Sequence, residues 1–197
     1  MMIFTRSFVV AAALCGFVGC AQDDDKRLDP QVIQLLDLEG MKFDLWQKPS
    51  TATVVLFARS DCPISNRYAP EIRRLYEAYH SRGVEFYLVY VDPREEPDAI
   101  RKHLQEYGYP CPGLRDPKHT LVAHCGAKTT PEAVVFGRNR GMTYRGRVND
   151  LYVDFGQART EPTTYDLADA IESTVSGRSV TNPRTKAIGC LIEDLKD

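Results

Sequence analysis

From Val32 to Trp46 apolar and polar residues alternate around Glu39-Gly40, the period-two pattern of a small β-hairpin. Thr53 to Ala58 (TVVLFA) is an unbroken apolar, β-branched run and predicts a strand buried on both faces. The period then changes. After Ser60-Asp61-Cys62-Pro63, the residues Ile64, Tyr68, Ile72, Leu75, Tyr76 and Tyr79 recur at helical spacing, and Pro70 interrupts them, so one amphipathic helix with a kink is expected. Gly83 closes it, and Val84 to Val91 (VEFYLVYV) predicts a second buried strand. Pro97 opens a helix with Ile100, Leu104 and Tyr107 on one face, ended by Gly108. An extended CPGLRD link leads to a helix from about Pro117 to Cys125, stopped at Gly126. Strands follow over Glu132 to Phe136 and Tyr144 to Val148, joined by the turn GRNRG. A last helix around Thr164 to Ser176 carries Leu167, Ile171 and Val175 at four-residue intervals.

Strands connected through helices run parallel, whereas the short GRNRG link makes its two strands antiparallel. The expected fold class is therefore α/β, a mixed central sheet with helices on both faces. A chain of 197 residues that is 43% hydrophobic has apolar material for one well-packed core. A net charge of −2, with no Lys/Arg-rich run, lacks the electrostatic footprint of a nucleic-acid binder.

The N-terminus reads as something other than fold. Arg6 precedes the uncharged apolar run Phe8 to Gly19, the pattern of a secretory signal over residues 1–19. The sequence Phe17-Val18-Gly19-Cys20 resembles a bacterial lipobox, in which the cysteine after a small residue is lipidated and becomes the mature N-terminus. Phe17 departs from the leucine usual there, and ordinary cleavage after Ala21 is the alternative. Cys20 is thus the expected lipid attachment site. Residues 20–30 form a polar, acidic tether, 31–178 the folded domain and 179–197 a C-terminal tail. The expected location is exported, on the periplasmic or cell-surface side, lipid-anchored to a bacterial membrane. Of six cysteines this leaves Cys62, Cys111, Cys125 and Cys190 in a disulfide-permissive compartment. Their pairing is not fixed by the sequence.

Cys62 stands where a helix begins. A thiol there meets unpaired backbone N–H groups and the positive end of the helix dipole, both of which favour thiolate. Arg59 and Arg67 add to that effect and Asp61 opposes it. A buried strand, then Asp61-Cys62-Pro63-Ile64-Ser65 opening a Pro-kinked helix, and later Thr130-Pro131 opening a strand, together resemble the thioredoxin superfamily. Within it the chain is most similar to the redoxin and thiol-disulfide oxidoreductase branch, over about Val32 to Ser176. The resemblance implies a thioredoxin-like fold, a cis Thr130-Pro131 bond that turns the Thr130 backbone toward a partner at Cys62, and no organic cofactor. Its implied substrates are protein thiols or disulfides, contacted by Thr130, Pro131 and Pro63. One departure matters: the family's Cys-x-x-Cys is here Cys62-Pro63-Ile64-Ser65, so Ser65 stands where the resolving thiol belongs. Such a site attacks a disulfide but cannot expel its own mixed disulfide by the usual route. A remote resolver is required. Cys190, in a tail with Pro183 and the small-residue turn at Ile188-Gly189, ranks first, and Cys111, in what reads as a surface link, second. Cys125 reads as a buried small hydrophobe. A static disulfide fastening the tail through Cys190, for example to Cys111, is the competing reading.

Other functions fit less of the sequence. A peroxiredoxin-type peroxidase needs a hydroxyl residue three positions before its cysteine, and Arg59 stands there, although Arg145 or Arg147 could approach the site. A copper chaperone of this fold needs a second thiolate four positions after the first, where Asn66 stands; His103, His119 and His124 read as solvated helix residues rather than metal ligands. A binding module that has lost turnover would show the same isolated CxxS. The long link Asn149 to Thr163 carries Tyr152, Phe155 and Arg159, which either flank the site or pack the tail.

Overall fold

The computed structural model describes residues 33–195. The expected signal, the tether and Cys20 lie outside these residues. Asp37 accepts the N–H groups of Glu39 and Met41 through Oδ1, at 3.0 and 2.8 Å, and so turns β1 (Leu35–Leu36) back into β2 (Lys42–Phe43). The fully buried β3 (Ala52–Ala58) leads to α1 (Pro63–Arg67) and α2 (Ala69–Tyr79). A single 3₁₀ turn then ends at left-handed Gly83, before β4 (Val84–Tyr90). Next come α3 (Pro97–Tyr107), β5 (Gly113–Arg115), α4 (Thr120–Cys125), β6 (Thr129–Thr130), β7 (Glu132–Gly137) and β8 (Met142–Gly146). A two-stranded hairpin, β9 (Tyr152–Asp154) and β10 (Gln157–Ala158), precedes α5 (Asp166–Val175), and β11 (Cys190–Leu191) lies in the tail.

Seven strands form one mixed sheet in the order β2-β1-β5-β4-β3-β7-β8. β3 sits near its middle, parallel to β4 and antiparallel to β7. Strand alternation divides the apolar side chains between two cores. Val54, Leu56, Phe86, Leu88, Ala133 and Val135 face Ile72, Leu75, Ile100 and Ile171 from α2, α3 and α5. Val55, Phe57, Tyr87, Val89, Val134 and Phe136 face Leu121, Val122 and Cys125 of α4 on the other side. Helices therefore cover both faces, as expected for a thioredoxin-like fold.

Among the boundaries that differ from the sequence reading, three have a clear local reason. The kinked helix is two helices, because Pro70 has no N–H to give Asn66 and Tyr68 turns its own N–H to Ser65 O, 3.0 Å away. α4 begins at Thr120 rather than Pro117, because the buried Asp116 carboxylate accepts the N–H groups of Thr120, Leu121 and Val122 at 2.8–2.9 Å and fixes the first turn. β8 starts at Met142, immediately after the tight turn in which Gly137 and Gly141 are bonded.

The tail runs back along the body. Arg145 N–H donates to Pro183 O and Thr185 N–H to Arg145 O, while Tyr144 Oη lies 2.6 Å from Thr185 Oγ1. Past this edge contact the chain reaches β6, where Cys190 stands opposite Thr130 and Leu191 opposite Thr129 in antiparallel register. Ile192 N–H then donates to Lys128 O at 2.9 Å.

Phe57, fully buried between β3 and the α4 layer, tests this core. Phe57→Ala is expected to lower the unfolding free energy by about 3–5 kcal/mol, measured by urea denaturation of the reduced protein.

Candidate active site

Strand β3 ends at Ala58, and the following turn, closed by Cys62 N–H donating to Arg59 O, delivers Cys62 to the N-cap of α1. Pro63 at the first helical position needs no partner for a missing N–H and stands exposed at the lip of the site. The Cys62 side chain is completely buried, and its Sγ donates to Thr130 O at 3.1 Å. The Thr130–Pro131 peptide bond is cis. Cys190, half-buried, stands opposite Thr130 in the β6–β11 pair, across from the residue whose carbonyl oxygen accepts from Cys62 Sγ. Cys62, Ser65, Thr130, Pro131 and Cys190 are thus gathered at one point.

The two thiols are electrostatically unlike. Burial pushes the Cys62 thiol up, but the donors from which a thiolate would accept, the Cys190 thiol, the Ser65 N–H and hydroxyl, and Thr130, outweigh it and leave its pKa below the ordinary value. Burial, reinforced by the hydrogen bond to Cys62, pushes Cys190 up to about 12. Of the two thiols, Cys62 is therefore the more acidic and the first to ionise. The buried hydroxyls of Ser65 and Thr130 have no hydrogen-bond partner around the neutral thiol. A thiolate at Cys62 gives such donors an acceptor, which is the physical sense of the lowered pKa. Arg59 contributes less than its position suggests, since it pairs with Asp61 at 2.8 Å and reaches Asp92 at 3.8 Å.

The turn and helix that carry Cys62 are braced from behind. Ser60 N–H donates to Glu95 Oε1 at 2.8 Å, while Glu95 Oε2 is buried without a partner and burial raises that carboxyl's pKa. Asn66 Nδ2 donates to Ser60 O and to Tyr107 Oη, at 2.9 and 3.1 Å. Asn66 Oδ1 accepts from His103 Nε2 at 2.8 Å, and His103 Nδ1 accepts from Tyr90 Oη at 2.7 Å. Burial pushes the His103 pKa down and keeps it neutral, as this pattern requires. His103 is therefore a buried bracing residue, which corrects its reading as a solvated helix histidine; only a tertiary contact between α3 and α1 reveals it.

Several candidates are placed elsewhere. Cys111 is buried, and burial pushes its thiol up to about 12; it lies in the core cluster with Tyr90 and Tyr109, which corrects its reading as part of a surface link. Cys125 is likewise buried, its thiol driven strongly upward by burial. All four described cysteines are free, so no static disulfide joins Cys190 to Cys111. Arg145 is taken up by Cys125 O and Glu132, and Arg147 by Asp166 at 2.7 Å, so both are committed to structural contacts. Tyr152 packs its ring 6.0 Å from Tyr68 at the break between α1 and α2, Arg159 pairs with Asp150, and Phe155 is exposed. Among the described residues, no cluster of three His, Cys, Asp or Glu side chains is placed to hold a metal ion, and no helix is long and apolar enough to cross a membrane.

A cysteine capping a helix beside a cis-proline loop, on a mixed sheet of this order, defines a thioredoxin-like redoxin. The chain belongs to the AhpC/TSA family, whose model matches residues 30–148. It is similar to the thiol-disulfide oxidoreductase ResA of Halalkalibacterium halodurans, with 24% identity over 105 residues. That match covers 53% of this chain and 58% of the relative, so the chain spans little more than half the length of the curated relative. Among solved structures, an uncharacterized conserved protein from Geobacillus kaustophilus superposes with a TM-score of 0.72 at 26% identity, covering 84% of this chain and 89% of that one. A hypothetical protein from Sinorhizobium meliloti gives a TM-score of 0.72 at 25% identity, covering 83% and 91%. A secreted Mycobacterium tuberculosis disulfide oxidoreductase shares the fold, with a TM-score of 0.51 at 18% identity over 76% of this chain and 99% of that one.

The thiolate absorbance of the reduced protein is expected to titrate in a first step below the ordinary thiol pKa, the step belonging to Cys62 and absent in Cys62→Ser. Ser65→Ala removes a donor that favours the charged form, so it moves this step upward in pH and leaves the secondary-structure spectrum unchanged.

Proposed function

We propose that this chain is an exported thiol-disulfide oxidoreductase in which Cys62 is the nucleophile and Cys190 the resolving thiol. The observation that carries the reading is the meeting of two free thiols at Thr130, Cys190 paired opposite it and Cys62 Sγ bonded to its carbonyl oxygen, with pKa values shifted in opposite directions. Cys62 thiolate attacks one sulfur of a partner disulfide, forming a mixed disulfide and releasing the partner's other sulfur as thiolate. Cys190 gives up its proton and attacks Cys62 Sγ, which expels the partner's remaining thiolate and leaves a Cys62–Cys190 disulfide. The partner has gained two electrons and the chain has lost two. An external dithiol returns them, and the sequence runs backward when the chain oxidises a partner dithiol.

Ser65 is a donor to the Cys62 thiolate rather than a redox group, and Thr130, Pro131 and Pro63 border the surface where the partner's chain would lie. The partners are protein thiols or disulfides. Export rests on the N-terminal pattern of residues 1–19, and attachment to a membrane on lipidation of Cys20. The similarity to a thiol-disulfide oxidoreductase supports the same chemistry.

Membership in the AhpC/TSA family favours thiol peroxidase activity as a second reading. Arg59, three positions before Cys62, offers no hydroxyl to hold peroxide and is engaged with Asp61. Peroxide consumption dependent on Cys62, at a rate exceeding exchange with disulfides, would reverse the order of the two.

Disulfide mapping by mass spectrometry tests the proposal. Mild oxidation is expected to link Cys62 to Cys190, and Cys190→Ser is expected to accumulate a mixed disulfide at Cys62 while losing multiple turnover. A Cys62 that stays free and inert under these conditions overturns the oxidoreductase reading.

A further inference from the structure

The strand that brings Cys190 to the site also closes it. With β11 paired to β6, Cys62 has no exposed surface, so a partner's sulfur has no path to the nucleophile while the tail is in place. The described contacts between the tail strand and β6 are those of its backbone: Cys190 and Leu191 pair with Thr130 and Thr129, and Ile192 N–H donates to Lys128 O. Leu191 itself is 71% exposed. Main-chain pairing of this kind is open to any extended peptide. It is also short, two residues long, so it opens at small cost relative to the sheet it borders.

One position in the strand is selective. A Cβ at residue 189 would collide with the Thr130 carbonyl oxygen and stand 2.7 Å from Thr130 C and 3.2 Å from Pro131 N. These are backbone atoms of a buried loop, which cannot swing aside as a side chain would. Gly189 does not adopt a left-handed φ, so glycine is needed here for room and not for backbone freedom. Two residues beyond the cysteine, Ile192 lines a groove with Val91 and His119, and Glu193 lies near Arg94 in the same groove.

We propose that the chain's own Gly189–Ile192 strand is a resident gate over the Thr129–Thr130 edge, where the proposed function already places the partner, and that its register sets which partner segment can take its place. An incoming substrate replaces that strand with an extended segment carrying glycine immediately before its reactive cysteine. The inference rests on the oxidoreductase reading and adds to it a gate and a substrate class. Entry requires the tail strand to leave; the incoming cysteine then takes the place of Cys190, and its neighbour meets the same backbone wall that Gly189 meets now.

The test uses the Cys190→Ser protein, in which no resolving step removes the product. The probes are two extended peptides that differ only in having Gly or Val before cysteine, each with that cysteine activated as a disulfide with an aromatic thiol. Attack by Cys62 joins it to the peptide cysteine and releases the aromatic thiolate, which is followed by its colour; the symmetrical aromatic disulfide serves as a probe with no peptide. Adding Gly189→Val, or separately Ile192→Pro, is expected to undock the tail and accelerate all three probes about tenfold, the factor that a modest steric conflict produces. In the undocked proteins the Gly-Cys peptide is expected to react about tenfold faster than the Val-Cys peptide. Equal rates for the two peptides, or no acceleration on undocking, with Cys62 reactive toward the aromatic disulfide, overturn the gating proposal and leave the oxidoreductase reading intact. If Cys62 reacts with none of the three in any variant, both fall.

Discussion

A sulfur anion sealed from water depends on the donors that the protein holds around it. In this chain the burial of Cys62 alone would raise its pKa, and the pKa is instead lowered by donors supplied from three separate stretches of sequence: the tail at Cys190, the first turn of α1, and the loop at Thr130. The lowered pKa of the resting site therefore depends on those stretches being in register. The sheet secures the first two, because β3 and β7 are adjacent antiparallel strands that place the end of one beside the start of the other. The tail is secured by its own strand pairing with β6.

Most of the fold could be read from local patterns. The run at Thr53 to Ala58 and the run at Val84 to Val91 are too apolar for anything but buried strands, and glycines at 83, 108 and 126 mark helix ends where the chain takes a left-handed turn. The helix start at Cys62 and the Thr130-Pro131 loop were legible as motifs. What escaped was tertiary. Asp116 sets the start of α4 by turning its carboxylate onto three N–H groups that no linear pattern announces. Cys111 precedes a proline, which reads as a surface link, yet its neighbours in the fold are Tyr90 and Tyr109. Likewise His103 acquires its role only because α3 packs against α1, so that Asn66 and Tyr90 meet its two ring nitrogens.

In the proposed mechanism, Ser65 in place of a second active-site cysteine divides two tasks that one residue would otherwise share. The hydroxyl retains a donor beside the nucleophile, while electron-pair chemistry has to be carried by a thiol from another part of the chain. That separation also separates the acidities. The thiol at the helix start is made the more acidic and the thiol on the tail the less acidic, so the order of events in the proposed exchange is set by the surroundings rather than by which sulfur is more exposed.

The tail is fastened twice: at Thr185 on the edge of β8, and at Cys190 to Ile192 on β6. Opening the second fastening leaves the first in place, with only residues 186–189 between them. A thiol on so short a leash keeps an effective concentration near its target on the order of millimolar, whatever the composition of the surrounding fluid. On the proposed mechanism, small thiols outside must exceed that figure to intercept the mixed disulfide. If Cys190 resolves as proposed, the chain sets its own competition, and the geometry of four linking residues, rather than the reducing strength of the compartment, decides the outcome of each encounter.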